Sequence, residues 1–302
     1  MTTNDSYAYL GPEGTYSHQA AFAFLDIPAS ETSKTASETS SAENPQLIEC
    51  STISEVFDLV DRGRATFGVV PIENALEGSV NETLDTFAFT SGAQIQGETV
   101  LDIHHSLVVP PGVGLKDIEV VASHPQALAQ CRRWLAQHLP NAATIATTST
   151  AGAVQTALAS EGRHTAGIGT EHAAQLFGGV VLEREIEDHF GNQTRFVLIG
   201  NQTHQTQAHP QNSDGYKTSL ALFMREDRPG TLLMILEEFA YAGLNLTKIQ
   251  SRPTKRALGD YMFWIDIDGH TDDPDVRTAL DCLRLKLREV KSFGSYLAAP
   301  KE

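Results

Sequence analysis

The sequence predicts an α/β protein of two parts, a longer α/β domain followed by a smaller βαββαβ unit. Up to residue 200, short β-branched runs alternate with helical patterns across loops rich in Gly, Ser, Thr, Asn and His. Beyond residue 215 the pattern changes to strand, helix, two strands, helix and strand. A polar stretch without periodicity lies between the two patterns. We therefore predict a first domain over 5–200, a linker over 201–215 and a second domain over 216–298.

Five strand–loop–helix repeats define the first domain. The predicted strands are 7–10, 66–70, 119–122, 144–147 and 165–168. The helices predicted to follow them are 18–25, 80–89, 127–138, 153–160 and 171–177. This alternation is typical of a largely parallel sheet. Residues 28–45 are rich in Ser, Thr, Ala and Glu, and they predict a surface insertion.

The second domain has the element order of the ferredoxin-like fold. Its predicted strands are 217–224, 245–251, 261–268 and 290–296. Its predicted helices are 231–242 and 273–287. In the later helix, Leu280, Leu283 and Leu287 recur at the spacing of one buried helical face.

Charge is distributed unevenly along the 302 residues. Residues 1–200 hold 9 Lys+Arg and 24 Asp+Glu, a balance of −15, and residues 201–302 hold 13 and 14, a balance of −1, which together give the net −16. So acidic a first domain lacks the basic face that nucleic acid requires, and no nucleic-acid partner is expected.

We expect a cytoplasmic protein with no membrane partner. No apolar run approaches the roughly 20 residues that a membrane-spanning helix needs. The first residues, MTTNDSYAYLG, lack the basic start and apolar core of an export signal.

No metal or cofactor is expected. Cys50, Cys131 and Cys282 are widely spaced and form no CxxC pair, which argues against a zinc or disulfide framework. His204 and His209 lie in the polar linker without the spacing of metal ligands. None of the loops matches a dinucleotide or nucleoside triphosphate motif.

The loops that follow the predicted strands suggest a site for a small carboxylic acid. Parallel sheets bind ligands at the carboxyl ends of their strands, where helix N-termini offer free N–H groups. Ordinary helix capping is the alternative explanation for each loop taken singly.

Five sequence runs of the first domain occur together in the order found in one known family. They are GPEGTYSHQAA (11–21), PIENALEGSV (71–80), SHPQALAQC (123–131), TSTAGA (148–153) and GNQTRF (191–196). With them, residues 1–200 resemble the catalytic domain of prephenate dehydratases along nearly their whole length. Residues 216–298 resemble an ACT domain, which in that family binds phenylalanine at a dimer interface.

The resemblance implies a two-lobed catalytic domain with the fold of type II periplasmic binding proteins, followed by a ferredoxin-like ACT domain. The implied reaction converts prephenate to phenylpyruvate with loss of CO2 and water, a carbon–oxygen lyase step of phenylalanine biosynthesis. Phenylalanine is the implied allosteric effector, and a homodimer or homotetramer is the implied assembly. Because the chain opens at strand 7–10, the chorismate mutase domain fused to some relatives is expected to be absent.

The resemblance places Thr194 and Arg195 in the catalytic motif. A hydroxyl is a weak acid, so we expect Thr194 to hydrogen-bond the departing oxygen. Arg195 is expected to clamp a carboxylate with its planar guanidinium, with a structural ion pair as the alternative. Glu73 is a candidate proton donor if it is buried. His124 is a candidate acid or base, with helix capping as the alternative.

Further side chains of the matching runs are expected to bind substrate. They are Thr15, Ser17, Asn74, Ser79, Ser123, Gln126 and Thr150, with Phe196 packing beneath the site.

Two runs of the second domain correspond to the effector signatures of the family. They comprise Gly230, Thr231 and Leu232, and then Gln250, Ser251, Arg252 and Pro253. Thr231 stands where alanine is usual and Gln250 where glutamate is usual. A glutamate can pair with a ligand ammonium, whereas glutamine offers neutral hydrogen bonds.

Three other interpretations remain open at this point. Arogenate dehydratase would use the same fold and site. A non-catalytic binding protein of the periplasmic type is disfavoured by the start of the chain and by the intact GNQTRF run. A purely regulatory amino-acid sensor would need the ACT unit alone.

Overall fold

The computed structural model describes residues 5–25, 45–160, 164–201, 215–226 and 228–300. Apart from Pro45, Asn201 and Gly215, the predicted insertion and linker lie outside these residues. The chain forms two compact units, the first from residues 1–56, 68–80 and 99–196 and the second from 57–67, 81–98 and 197–302. The chain passes between the units several times, and the division at 201–215 stays a prediction.

The described residues alternate strand and helix much as the sequence predicts. The strands are β1 (Ser6–Leu10), β2 (Gln46–Cys50), β3 (Phe67–Asn74), β4 (Gly78–Ser79), β5 (Gln94–Asp102), β6 (Ser106–Val109), β7 (Val120–Ser123), β8 (Ala143–Ala146), β9 (Thr165–Gly169), β10 (Val180–Glu183), β11 (Gln193–Gly200), β12 (Tyr216–Phe223), β13 (Leu246–Pro253), β14 (Tyr261–Asp268) and β15 (Glu289–Leu297). The helices are α1 (Tyr16–Phe24), α2 (Ile53–Asp61), α3 (Asn81–Phe89), α4 (Pro125–Gln130), α5 (Arg132–His138), α6 (Thr150–Ala159), α7 (Glu171–Phe177), α8 (Thr231–Tyr241) and α9 (Pro274–Lys286). None of these helices has the length and apolar character to cross a membrane.

The helix predicted over 127–138 is two helices, α4 and α5, that meet at Cys131. The Asp188 carboxylate accepts the backbone N–H groups of Arg133 at 2.9 Å and Trp134 at 3.1 Å. A carboxylate at these N–H groups caps the start of a new helix. The helical pattern is therefore interrupted by a group 55 residues further along the chain.

Two sheets that lie largely in the first unit repeat one strand order. The first runs β2-β1-β3-β11-β5, with β4 paired to β3, and the second runs β8-β7-β9-β6-β10. In each sheet, the fourth strand in this order is the one that the chain forms on entering from the other sheet: β11 follows β10, and β6 follows β5. In the second sheet β7 pairs parallel with β8 and β9, but β6 pairs antiparallel with β9 and β10. This sheet is therefore mixed, because β6 is reached without a crossover helix.

The two sheets of the first unit are joined where the loop before α1 meets the start of α7. Thr170 Oγ accepts the Ala173 N–H at 2.9 Å and donates to the Gly14 carbonyl at 2.8 Å. Gly14 has φ 83°, and a Cβ there would lie 3.1 Å from the Ala173 Cβ. The left-handed backbone and the close approach both favour glycine at this position.

A buried pair of histidines lies beside this junction. The rings of His18 and His172 are 5.4 Å apart, and both residues are buried. The Gly14 N–H donates to His18 Nδ1 at 3.1 Å, so this nitrogen carries no proton. Burial lowers the pKa of His18 to about 4, with a smaller contribution from His172, and burial also lowers the pKa of His172.

The second unit contains a four-stranded antiparallel sheet in the order β13-β14-β12-β15. Helices α8 and α9 pack on one face of this sheet. The core between them includes Leu220, Leu222, Ile235, Phe239, Ile265, Ile267, Leu280 and Leu283. The chain order β12-α8-β13-β14-α9-β15 confirms the predicted βαββαβ unit.

The opposite face of this sheet carries an aromatic cluster that includes residues from earlier parts of the chain. Trp264 stacks on Phe293 with ring centroids 4.5 Å apart, and Phe87 of α3 lies 5.9 Å from Trp264. Phe57 packs edge-on against Phe87 at 4.8 Å. Aromatic pairs at such distances stabilise a core beyond the area that they bury. The cluster explains why 57–67 and 81–98 belong to the second unit.

The His18 pKa gives an expectation for acid stability. The folded pKa of about 4 lies below the ordinary value of 6.5, so the unfolded chain takes up a proton first as the pH falls. Stability should decrease between pH 6.5 and 4, by roughly 2 kcal/mol from pH 7 to 5 for this group. Urea unfolding of His18→Asn, which keeps an acceptor for the Gly14 N–H, should show a smaller loss over that interval. Equal losses in both proteins would contradict the assignment.

Candidate active site

Asn74 and Thr194 meet where β3 ends beside β11. Asn74 Oδ1 accepts the backbone N–H groups of Leu76 at 3.0 Å and Glu77 at 2.9 Å. Because backbone N–H groups only donate, these two bonds identify the oxygen of the Asn74 amide and leave its nitrogen facing β11. Asn74 Nδ2 donates to Thr194 Oγ at 2.8 Å and to Asn192 Oδ1 at 2.9 Å.

This arrangement determines what the Thr194 hydroxyl can do. Its oxygen accepts from an amide that cannot accept in return, so the hydroxyl proton points elsewhere. Within the described part of the chain no acceptor for that proton is found. Thr194 is 8% exposed, so its hydroxyl is more enclosed than a hydroxyl on the wall of an open cleft would be. The geometry prepares Thr194 to donate one hydrogen bond to a bound oxygen.

Glu73 and Arg195 form an ion pair on the other face of the same strands. Successive side chains of a strand alternate between faces, so these residues point away from Asn74 and Thr194. Arg195 Nη2 lies 3.0 Å from Glu73 Oε2, and the two side chains are 10% and 38% exposed. The partial exposure of Glu73 does not provide the burial that its role as proton donor needs. The geometry matches the ion-pair alternative for Arg195, and the clamp and proton-donor roles stay predictions.

The predicted residues of the SHPQ run serve the local structure. The Ser123 hydroxyl donates to the Ile168 carbonyl at 2.7 Å and joins β7 to β9. His124 is the N-cap of α4, and its Nδ1 accepts the Gln126 N–H at 3.3 Å. The capping alternative for His124 is thus realised. Gln126 is exposed, and substrate contacts of all three residues stay predictions.

The remaining predicted substrate residues lie in several environments. Thr15 is the N-cap of α1 and donates to the Pro12 carbonyl at 2.8 Å. Ser17 is buried in the first turn of α1, and Ser79 pairs with Glu73 between β4 and β3. Thr150 begins α6, whose N-cap is Ser149, and Phe196 is buried at 2% exposure, as a residue packing beneath the site would be.

The sequence reasoning missed three polar residues that adjoin the Asn74–Thr194 pair. Gln130 Oε1 lies 2.8 Å from His105 Nε2 and 3.5 Å from Asn192 Nδ2. The Nε2 atom of Gln130 is buried, and no partner for it exists among the described residues. Gln130 lies in the run SHPQALAQC and Asn192 in the run GNQTRF. Gln130 is the last residue of α4, whereas the loops that predicted a site precede the first residues of helices.

Two surface depressions are lined by other residues. One of about 530 Å³ is formed around the start of α6 by Thr147, Thr148, Gly152, Gln155, Thr156 and Ala159, and it includes none of the polar cluster. In the described residues no three His, Cys, Asp or Glu side chains are arranged to hold a metal ion.

The other depression, of about 380 Å³, lies at the start of α8 in the second unit. Its lining includes Gly230, Thr231, Leu232 and Phe263. Ser251 pairs with Phe263 across β13 and β14 and therefore shares its face of the sheet. Residues 230–232 of the first effector signature and Ser251 therefore lie on the same side of the sheet as Phe263.

The rest of the second signature faces the other side of the sheet. By strand alternation Gln250 and Arg252 point opposite to Ser251. Arg252 Nη2 lies 2.6 Å from Asp85 Oδ1, and its Nη1 donates to Asn81 Oδ1 at 2.6 Å, both on α3. The Arg252 guanidinium is therefore engaged with α3, while its contact with an effector stays a prediction, as do those of Gln250 and Pro253.

Comparison with known proteins agrees with this architecture. The family model described as prephenate dehydratase matches residues 7–204, and the ACT domain model matches residues 218–281. A prephenate dehydratase of Mycolicibacterium vanbaalenii is 38% identical over 96% of this chain and 90% of its own length.

Two solved structures are similar over almost the whole chain. A prephenate dehydratase of Arthrobacter aurescens in complex with L-Phe has a TM-score of 0.81 and 35% identity, covering 97% of this chain and 90% of that one. A protein described as a novel type of quorum quenching acylase has a TM-score of 0.79 and 27% identity, covering 98% of both chains. The first match confirms the predicted fold class.

The fold and the matches define an α/β enzyme domain followed by a C-terminal ACT domain. The chain belongs to the prephenate dehydratase family.

Proposed function

We propose that the protein is a prephenate dehydratase, which converts prephenate to phenylpyruvate, CO2 and water. The Thr194 hydroxyl, oriented by Asn74 and left with a free proton, is the observation that carries the proposal. It donates a hydrogen bond to the ring hydroxyl that departs. As the C–O bond breaks, the C–C bond to the ring carboxylate also breaks and CO2 is released. The electrons of that C–C bond complete the aromatic ring, and the departing hydroxyl takes up a proton from solvent and leaves as water.

Aromatisation supplies the driving force, so the enzyme contributes orientation and placed dipoles. Neutral donors suit this task, because a full positive charge would overstabilise the ring carboxylate that must be lost. Thr194 Oγ–H and the two hydrogens of Gln130 Nε2 are such donors, and both side chains border the same polar cluster.

Arogenate dehydratase remains the alternative within this fold. Arogenate carries an ammonium group where prephenate carries a keto group, and the ring chemistry is the same. Parallel turnover assays with both substrates decide between them.

The similarity to the protein described as an acylase suggests a second activity, which the site does not favour. Acyl transfer requires a nucleophile activated by an adjacent base. Thr194 Oγ accepts from the Asn74 amide, and no basic acceptor contacts it in the described residues.

We also propose a cytoplasmic homo-oligomer that binds phenylalanine through its ACT domain. The L-Phe in the Arthrobacter structure and the depression at Gly230 support the effector assignment. Leu233, Tyr241 and Ile249 are large apolar side chains with exposures of 60%, 83% and 46%. A second copy covering them, beside the edge strand β13, would remove this apolar surface from water.

The purified protein should form phenylpyruvate from prephenate without added metal, nucleotide or flavin. This expectation follows from a mechanism made of hydrogen bonds and placed dipoles. Phenylpyruvate can be followed by its absorbance in alkali, after the protein has been treated with a chelator. Activity that chelation removes and one specific ion restores would contradict this prediction.

Thr194→Ala should lower kcat by roughly 10²–10³, the loss typical of one hydrogen bond made in the transition state. Asn74 Nδ2 keeps Asn192 Oδ1 and the Gln193 carbonyl as acceptors, so the unfolding free energy should fall by only about 1 kcal/mol. Thr194→Ser is the matched control that retains the hydroxyl. An unchanged kcat in a folded Thr194→Ala protein would exclude Thr194 from the mechanism.

We propose that the Arg252–Asp85 ion pair transmits the phenylalanine response. Asp85 is on α3, which begins two residues after Ser79 of β4. Arg252→Gln should reduce the effect of phenylalanine on activity while calorimetry still detects binding. Arg284→Gln, which removes an exposed pair with Asp281, is the matched control. Loss of binding itself would show instead that Arg252 contacts the effector.

A further inference from the structure

One short segment of the first unit anchors the backbones of both His105 and Gln130. The Ile186 N–H donates to the His105 carbonyl at 2.9 Å, and the Asp188 N–H donates to the Gln130 carbonyl at 2.7 Å. Between them, Glu187 Oε2 accepts the His105 N–H at 2.9 Å. The two side chains therefore start from backbones that the same three residues hold in place.

The direction of each hydrogen bond in the cluster follows from the Asn74 amide. Asn192 Oδ1 accepts from Asn74 Nδ2, so Asn192 Nδ2 is the atom that faces Gln130. A donor must face an acceptor, which identifies the atom of Gln130 at this contact as Oε1. His105 Nε2 lies 2.8 Å from that oxygen and must carry the proton.

The environment of His105 suits a neutral ring with its proton on Nε2. The side chain is 4% exposed, and Nδ1 has no partner among the described residues. Burial lowers the pKa of His105, while Gln130 and Glu187 oppose that shift and His104 adds to it. Glu187 itself pairs with His104 Nδ1 at 2.8 Å, which leaves it directed at the backbone of His105 and not at its ring.

We propose that His105 is a positioning residue for the dehydration and holds Gln130 so that both Nε2 hydrogens face a substrate oxygen. The proposal rests on the function proposed above. Without the His105 proton, the Gln130 carboxamide can turn over and present its carbonyl to an anionic substrate, which repels it. Misplacing one group near the reacting atoms can lower a rate by about 10²-fold.

Two variants of similar polarity separate this role from a structural one. In His105→Gln the amide nitrogen reaches the place of Nε2 and can still donate to Gln130 Oε1, whereas in His105→Asn the amide reaches only the place of Nδ1. We expect His105→Gln to keep kcat within about threefold and His105→Asn to lower kcat by about 10- to 100-fold, with smaller changes in KM. Melting temperatures of the two variants should agree, and the pH profile of kcat in His105→Gln should match that of the wild type.

Each outcome decides the matter. Equal loss of kcat and of melting temperature in both variants would make His105 structural, and unchanged kcat in both would remove it from the reaction. Loss of one limb of the pH profile in His105→Gln would make His105 an acid or base and overturn the positioning role. A wild-type protein that forms no phenylpyruvate would overturn both the proposed function and this inference. If the wild type is active, the two variants test the role of His105 alone.

Discussion

The polar centre of the first unit depends on two backbone N–H groups. Those of Leu76 and Glu77 donate to Asn74 Oδ1 and thereby determine which way the Asn74 amide faces. From that amide the donor and acceptor roles follow in turn for Thr194, Asn192, Gln130 and His105, since each contact must join a donor to an acceptor. The turn over residues 74–77 thus sets the hydrogen-bond direction of side chains on β3, β11, α4 and two loops.

A consequence is that the cluster keeps donors without partners. The Thr194 hydroxyl proton and Gln130 Nε2 have none within the described residues, although both groups are largely enclosed. Buried donors left unpaired cost roughly 1–3 kcal/mol each, and folded proteins rarely tolerate them without a reason. A bound anion that accepts these hydrogen bonds recovers that cost, which accords with a site that works by preorganised neutral donors.

In the second unit, the sheet of the ACT domain has a different partner on each face. Helices α8 and α9 cover one face with aliphatic side chains, whereas Trp264 and Phe293 on the other face pack with Phe87 of α3. Arg252 and Lys255 add ion pairs to Asp85 on the same helix. A helix that follows the Asn74 turn in the chain is therefore held by strand β13, and this contact is the route that we propose for the phenylalanine response.

The sequence alone determined those features that depend on near neighbours in the chain. Helix α7 and strand β14 have the predicted bounds, because the Thr170 cap begins α7, Gly178 ends it, and Gly269 with φ 113° follows the last residue of β14. The family runs also predicted Asn74 and Thr194 as site residues, and the structure brings the two side chains into contact.

Tertiary structure decided everything that depends on partners distant in sequence. Asp188 divides the helix predicted over 127–138, and the Ile168 carbonyl takes the Ser123 hydroxyl. Strand alternation then separates Arg195 from Thr194, although the two are adjacent in the sequence. Gln130 joins the site through His105 and Asn192, 25 and 62 residues away. The residue type determines which hydrogen bonds a side chain can donate or accept. The folded chain determines which atom lies within hydrogen-bond distance of it.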